Sequence, residues 1–424
     1  MMRRMAVCLG ALLLCVLPAL AAPVAGTRLA FGITGSADGE GVRNPTNLLH
    51  EAVIQDLVLA LAQAPLPEDK LRAALVGSEA SIANLVETGL IAKRADGTYG
   101  IAFALFTAED GRLIHAVTTR AAASLADALL RDRAAFEQIL ARYDMPIADR
   151  RMVAMALIGC ALLDWNGLTI THDAGLRREG VDRGALGRYS VWASEKADDL
   201  SIRGLYWGSH NDLVGPAWFT SFGDHHSLPR LALPDMNWTI GSDAIDARYS
   251  RPLRVLMATS IREGLAATQA DAIKLMMALR DGGISRAALL QAAGVGAEPG
   301  DRALRLLGEL HYVRPEGDRI SSRIPIFAAR DKPLVHAVNA KGGAIFKTWL
   351  AKNAPEIRKQ LTGLSALQAG VSYEELFTQI YHHIFGRANL ELARRGFVSD
   401  PYGPETPFTG FIPFVWDASL KLND

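Results

Sequence analysis

A fourteen-residue stretch that occurs twice constrains this chain more than any other feature. Residues 104–117 and 325–338 match at a constant spacing of 221, with Phe106, Ala108, Asp110, Leu113, His115, Ala116 and Val117 recurring as Phe327, Ala329, Asp331, Leu334, His336, Ala337 and Val338. Seven identities in fourteen positions, beside the conservative pairs Leu105/Ile326 and Ile114/Val335, exceed the roughly one match that composition would give by chance. The pattern reads as an internal duplication, which constrains architecture more tightly than chemistry.

The N-terminus carries an export pattern. Arg3 and Arg4 precede an apolar run from Ala6 to Val16, then Pro18 and Ala19-Leu20-Ala21, the three parts of a secretory signal peptide. Cleavage is expected after Ala21, because a cut after Ala22 would set Pro23 where signal peptidase tolerates it poorly. The run is shorter than the roughly 20 residues that cross a bilayer, and no later segment competes with it as a span. The expected location is periplasmic or secreted. Cys8 and Cys15 leave with the leader, so Cys160 is the one cysteine of the mature chain and stability must come from packing rather than disulfides. Cys160 lies in a run apolar on all sides, Met152–Leu163, which predicts a buried helix and an inert thiol. The mature chain has 43 basic against 45 acidic residues, which gives no general attraction to nucleic acid or anionic lipid.

With 424 residues, half of them apolar, the chain can bury two cores. Residues 22–46, rich in Gly, Asp and Ser, read as a flexible lead-in. Apolar residues at helical spacing predict a first helix over Asn47–Gln63, a short one around Leu71 and Leu75, and a third carrying Ile82, Leu85 and Val86. Leu90–Arg94 and Tyr99–Phe106 then read as strands joined by a turn at Ala95-Asp96-Gly97. The second copy repeats this plan with helices over Ala270–Arg280, Ser285–Ala293 and Asp301–Leu310 and a hairpin turning at Glu316-Gly317. Two helices are expected after each hairpin. Three helices and a hairpin, with the phrase Leu85-Val86-Glu87-Thr88-Gly89-Leu90-Ile91 at the junction, resemble winged helix-turn-helix domains of the MarR and ArsR kind. The resemblance covers two blocks, about 140 residues in all, and implies a fold rather than an activity.

The expected fold class is α+β, mainly helical: an internal duplication of a winged-helix plus helical-pair unit with a loop-rich Trp/His insertion. The expected divisions are a signal peptide (1–21), the lead-in (22–46), a first repeat (47–163), the insertion (164–246), a second repeat (247–395) and an extended C-terminal clasp (396–424). The insertion holds five of the seven tryptophans and four of the ten histidines, so a ligand site is sought there first.

Within it, His210, Asp212, Asp224, His225 and His226 bring three imidazoles and two carboxylates within seventeen residues, a donor set suited to a divalent metal such as Zn. A catalytic zinc would keep one position open and leave a carboxylate as general base. The competing reading is that His210 and Asp224 bond loop backbone. Neither HExxH nor a nucleophile elbow, Walker or Rossmann pattern is present. His115 and His336 are expected on strands, beside Leu113 and Leu334. His382 and His383 are expected on a solvated helix face, opposite Phe377, Ile380, Tyr381 and Ile384. The third helix of the first copy carries two acids and no base, which argues against a nucleic-acid partner. Three functions follow in order: an exported binding or interaction protein using the repeats as a scaffold, a metal-dependent hydrolase using the His/Asp set, and a DNA-binding regulator if the leader is not an export signal. The ligand or partner is left open.

Overall fold

The computed structural model describes residues 28–197, 207–224, 233, 265–404, 406–408 and 410–420. The leader therefore lies outside the described residues, as do His225 and His226. The fold is α+β and mainly helical, with 55% of residues in helices against 19% in strands.

The chain enters on strand β1 (Leu29–Ala37). Two helices follow, α1 (Pro45–His50) and α2 (Ala52–Gln63), where one helix was expected; extended Glu51 separates them. Next come α3 (Glu68–Ala74) and α4 (Ile82–Glu87), the latter closed by a capping box between Ser81 and Asn84. Strands β2 (Ile91–Lys93) and β3 (Tyr99–Ile101) form an antiparallel hairpin, and Leu66 bridges to Tyr99 beside it. The expected strand Tyr99–Phe106 is two, because β4 (Ala104–Phe106) turns away to join another sheet.

Thr107 then caps the long helix α5 (Ala108–Leu130), followed by α6 (Arg133–Leu140) and α7 (Arg150–Asp173). Helix α7 runs without a break across 163/164, where the first repeat was expected to end. By length and composition α7 could cross a membrane, but most of it is packed inside the protein, including Cys160. Its middle, Met155–Asn166, is π-wound. There carbonyls are recruited from outside the helix: Tyr381 Oη donates to Leu163 O at 2.5 Å and Asn389 Nδ2 to Gly159 O at 3.4 Å.

Strands β5 (Val181–Asp182), β6 (Gly187–Glu195), β7 (Trp207–Val214) and β8 (Ala217–Asp224) come next. They occupy the stretch expected as a loop-rich insertion. Its described tryptophans serve the core: Trp192 and Trp207 are buried, and Trp218 stacks on Trp416.

The second half begins with α8 (Leu265–Ala278), β9 (Ile284–Ser285), α9 (Arg286–Ala293) and α10 (Ala297–Glu309). Strands β10 (Val313–Glu316) and β11 (Arg319–Ser322) form a hairpin that β9 joins as a third strand. Then β12 (Ile326–Phe327) leads through a single turn into α11 (Lys332–Gln360), followed by α12 (Ser365–Gln368), α13 (Tyr373–Arg394) and β13 (Phe411–Asp417).

Beside the two hairpin sheets there are two four-stranded ones, one ordered β1-β6-β4 with β5 added to β6, the other β12-β13-β8-β7. Each short strand of the repeated stretch lies parallel to a strand from later in the chain, β4 on β6 and β12 on β13. The lead-in is thus not flexible throughout. Strand β1 pairs with β6 over nine residues, and its glycines are what that pairing needs: a Cβ at Gly32 would meet the Trp192 ring at 2.9 Å, and one at Gly35 the Arg188 carbonyl at 2.4 Å. The C-terminal segment is not laid across the surface either; β13 is an inner strand between β12 and β8.

The helical centre is cross-packed. Helix α5 lies along α13, α11 lies along α7, and α5 and α11 pack on each other. His115 and His336 are therefore helical, since the repeated stretch is a strand, a capping turn and the first two turns of a helix. His382 and His383 are buried on α13, whose other sides are covered by α5, α7, β7 and β4. A helix enclosed all round shows its polar residues no solvent, whatever their spacing.

Candidate functional site: the groove between the long helices

Among the described residues no group of three or more His, Cys, Asp or Glu side chains is placed to hold a metal. His210 and Asp212 share one face of β7, while β8 sets Asp224 opposite Trp207, on the other face of the hairpin. Asp224 is fully buried and its Oδ2 accepts from Tyr402 Oη at 2.7 Å, a tether to the C-terminal segment. Of the five candidate ligands, the three described do not converge on one point, and His225 and His226 lie outside the described residues.

A concave feature lies elsewhere. Helices α5 and α11 run antiparallel, as three contacts in opposite order show: Arg120 Nη2 to Gln360 Oε1 (2.7 Å), Trp349 Nε1 to Ser124 Oγ (3.2 Å), and the Lys341–Asp132 ion pair. Between them opens a groove of about 720 Å³. Its floor is apolar, made of Ala128, Ile345 and the ring of Trp349, which is 5% exposed and fixed by its bond to Ser124.

The groove's charges are not balanced. Its two carboxylates are each engaged by a cation: Asp127 by Arg395 at 2.6 Å and Asp132 by Lys341. The bond to Asp127 is the main reason that the Arg395 pKa is raised. Its three cations, Arg120, Arg131 and Lys352, form no ion pair among the described residues, and Arg120 bonds only the neutral Gln360. Five charged groups line the groove; its two acids are paired with cations from outside the lining, and its three cations have no ion pair among the described residues. Alternating residues could not achieve this; the spacing Arg120, Ser124, Asp127, Arg131 follows one helical face.

A second groove, about 420 Å³, lies on the other side of α11 against the end of α7. Leu350, Ala354, Pro355 and Ile170 make it apolar, with only Asp173 and Lys347 carrying charge.

The interior of α13 holds a further polar group. Arg387 Nη2 meets His115 Nδ1 at 2.9 Å, and Arg387 Nε is buried without a hydrogen-bond partner. Burial lowers the Arg387 pKa to about 10, and burial together with the Arg387 charge lowers that of His115. The imidazole accepts from the guanidinium, so the pair depends on a neutral His115.

Sequence spacing led to the His/Asp set rather than to the groove. The sequence predicted helices after each hairpin but not the groove between them, and its charge balance depends on Arg395 and Lys341, which pair with its acids from positions remote in sequence. Comparisons with protein-family models, curated protein sequences and solved structures find no match to this chain.

Proposed function

We propose that this chain is an exported, non-catalytic binding protein, built from two winged-helix repeats, that holds a ligand or partner in the groove between α5 and α11. The leader pattern supports export. Two features support the duplicated winged-helix reading: the last three helices before each β-hairpin, α2–α4 in the first half (which has α1 besides) and α8–α10 in the second, correspond in order, and a short segment ahead of the later helices pairs beside each hairpin, Leu66 on Tyr99 and β9 on β11. In both, the hairpin leads into the repeated strand and long helix.

The observation that carries the binding reading is the groove itself, the meeting place of the two long helices, with three cations that have no ion pair among the described residues above an apolar floor. A winged helix used on DNA presents free cations from its third helix. Here α4 has six residues and no base, its Glu87 bound to Arg43, while at α10 Arg302 is engaged by Glu298 and Asp301 engages Arg286. The scaffold reading is favoured over nucleic-acid recognition.

The test is native mass spectrometry of mature protein isolated from its own compartment, beside a Thr348→Trp variant that fills the groove from an exposed position. The expected result is a bound component on the wild type that the variant has lost. A variant that retains the component, or a wild type that carries none, would overturn the reading.

A further inference from the structure

We infer that the occupant of the α5–α11 groove is an acidic peptide segment of about five residues, bound extended, with carboxylates at its two ends. The inference rests on the binding reading above and adds the chemistry of the ligand.

Charge decides its sign. The two carboxylates of the groove each already accept from a cation, Arg395 and Lys341, so their negative charge is largely offset within the protein. Arg120, Arg131 and Lys352 have no carboxylate among the described residues. A cationic ligand would meet a net positive lining, whereas an anionic one finds three donors in place.

Position decides the length. Because α5 and α11 are antiparallel, Ser124 lies level with Trp349 and Asp132 with Lys341. Arg120 and Lys352 therefore stand at one end of the groove and Arg131 at the other. Arg120 and Arg131 are eleven residues apart on one helix, roughly 16 Å at 1.5 Å per residue. An extended chain covers that distance in about five residues. A single free amino acid or small dicarboxylate reaches one end only.

The floor decides that the ligand is amphipathic. Trp349 is held by Ser124 with its ring against the groove, beside Ile345 and Ala128, so apolar side chains between the terminal carboxylates have a fixed surface to cover. The groove's volume of about 720 Å³ lies within the range of sites that enclose ligands of this size.

The experiment titrates the full mature protein with a labelled Glu-Leu-Glu-Leu-Glu peptide and follows fluorescence anisotropy. Binding is expected to weaken roughly two- to five-fold for each of Arg120→Ala, Arg131→Ala and Lys352→Ala, the usual worth of an exposed ion pair. It is expected to weaken further as salt shortens the screening length, and to be lost with Gln in place of Glu. All three substituted side chains are exposed, so circular dichroism should match the wild type. Equal binding of the Gln peptide, indifference to all three substitutions, or equal binding of free glutamate would overturn the inference. The two readings fail separately. If the peptide binds Thr348→Trp as tightly as the wild type, the peptide does not occupy the groove and the inference falls, and the binding reading falls with it only if Thr348→Trp also keeps the native component. If the peptide fails while Thr348→Trp still sheds the native component, only the acidic-peptide inference falls.

Discussion

Asp110 and Asp331, 221 residues apart, hold their strand-to-helix turns in the same way: Asp110 Oδ2 accepts from Thr107 N at 2.9 Å and Asp331 Oδ2 from Ala328 N at 2.8 Å. The repeated aspartate is thus a capping residue, and the stretch that recurs in sequence is a folding signal rather than a catalytic one. Their second oxygens differ. Asp110 Oδ1 accepts from Ser365 N at 2.9 Å, tying α5 to α12, while both Asp331 oxygens take a bidentate grip on Arg280 (2.6 and 3.1 Å). Thr107 returns a bond to Asp110 N, which Ala328 has no side-chain oxygen to do.

That difference sets the ranking of two substitutions. Asp110→Ala removes a cap and a neutral partner's bond, a loss of about 1–2 kcal/mol. Asp331→Ala also strands Arg280, whose side chain is 4% exposed and whose remaining partner, Asp144, is 66% exposed. Breaking a buried ion pair from one side costs roughly 3–5 kcal/mol. Urea denaturation of both variants is expected to place Asp331→Ala clearly below Asp110→Ala; the reverse order would mean that the ion pair is not the larger contribution.

Two helical glycines are expected to respond oppositely to alanine. At Gly342 of α11 a Cβ would lie 2.1 Å from Leu162 Cδ2 of α7, so the glycine is what lets those helices approach. Gly342→Ala should cost about 1–3 kcal/mol through overpacking. Gly308 of α10 has nothing within 4 Å of its would-be Cβ, so Gly308→Ala should stabilise by up to about 1 kcal/mol through helix propensity alone. Thermal unfolding of the two variants beside the wild type checks both signs.

The recurrence of residues 104–117 at 325–338 and the buried run around Cys160 were legible because both are local, one a repeated string and the other an unbroken apolar stretch, whereas the helix that starts inside the repeat was read as strand, with His115 and His336 on it. Strand β1 was not, because Gly32 and Gly35 read as flexibility until Trp192 and the Arg188 carbonyl are seen against them. His382 and His383 were misplaced because polar residues at helical spacing normally mark a wet face, and only the tertiary packing of α5 and α7 around α13 removes the water. The groove's charge was hidden for a related reason. Arg120, Asp127 and Arg131 read as a mixed surface until Arg395, 268 residues from Asp127, neutralises the acid.

Cys160 is fully buried on α7, out of reach of a reagent in solvent. A disulfide-exchanging reagent such as Ellman's is expected to leave native protein unlabelled and to react fully in urea, with a native-state rate that follows global unfolding. Labelling within seconds in native buffer would show that the α7 core opens locally.

The acid limb of stability should report on His382. It is 2% exposed, and burial lowers its pKa from 6.5 to about 4, against the opposing effect of the Thr378 carbonyl at 2.6 Å from Nδ1. The folded pKa lies below the unfolded one, so between those values the unfolded chain takes up a proton that the folded chain refuses. Stability is then complete above about pH 6.5 and falls as the pH drops toward 4, by about 3 kcal/mol at most, given 1.36 kcal/mol per pH unit. His115 acts in the same direction, since its pKa is lowered too and its protonation would end its acceptance from Arg387. Urea midpoints between pH 4 and 7.5 are expected to fall steeply for the wild type and less steeply for His382→Gln, whose amide cannot take up the proton. Parallel curves for the two proteins would mean that His382 is not what makes acid destabilise the fold.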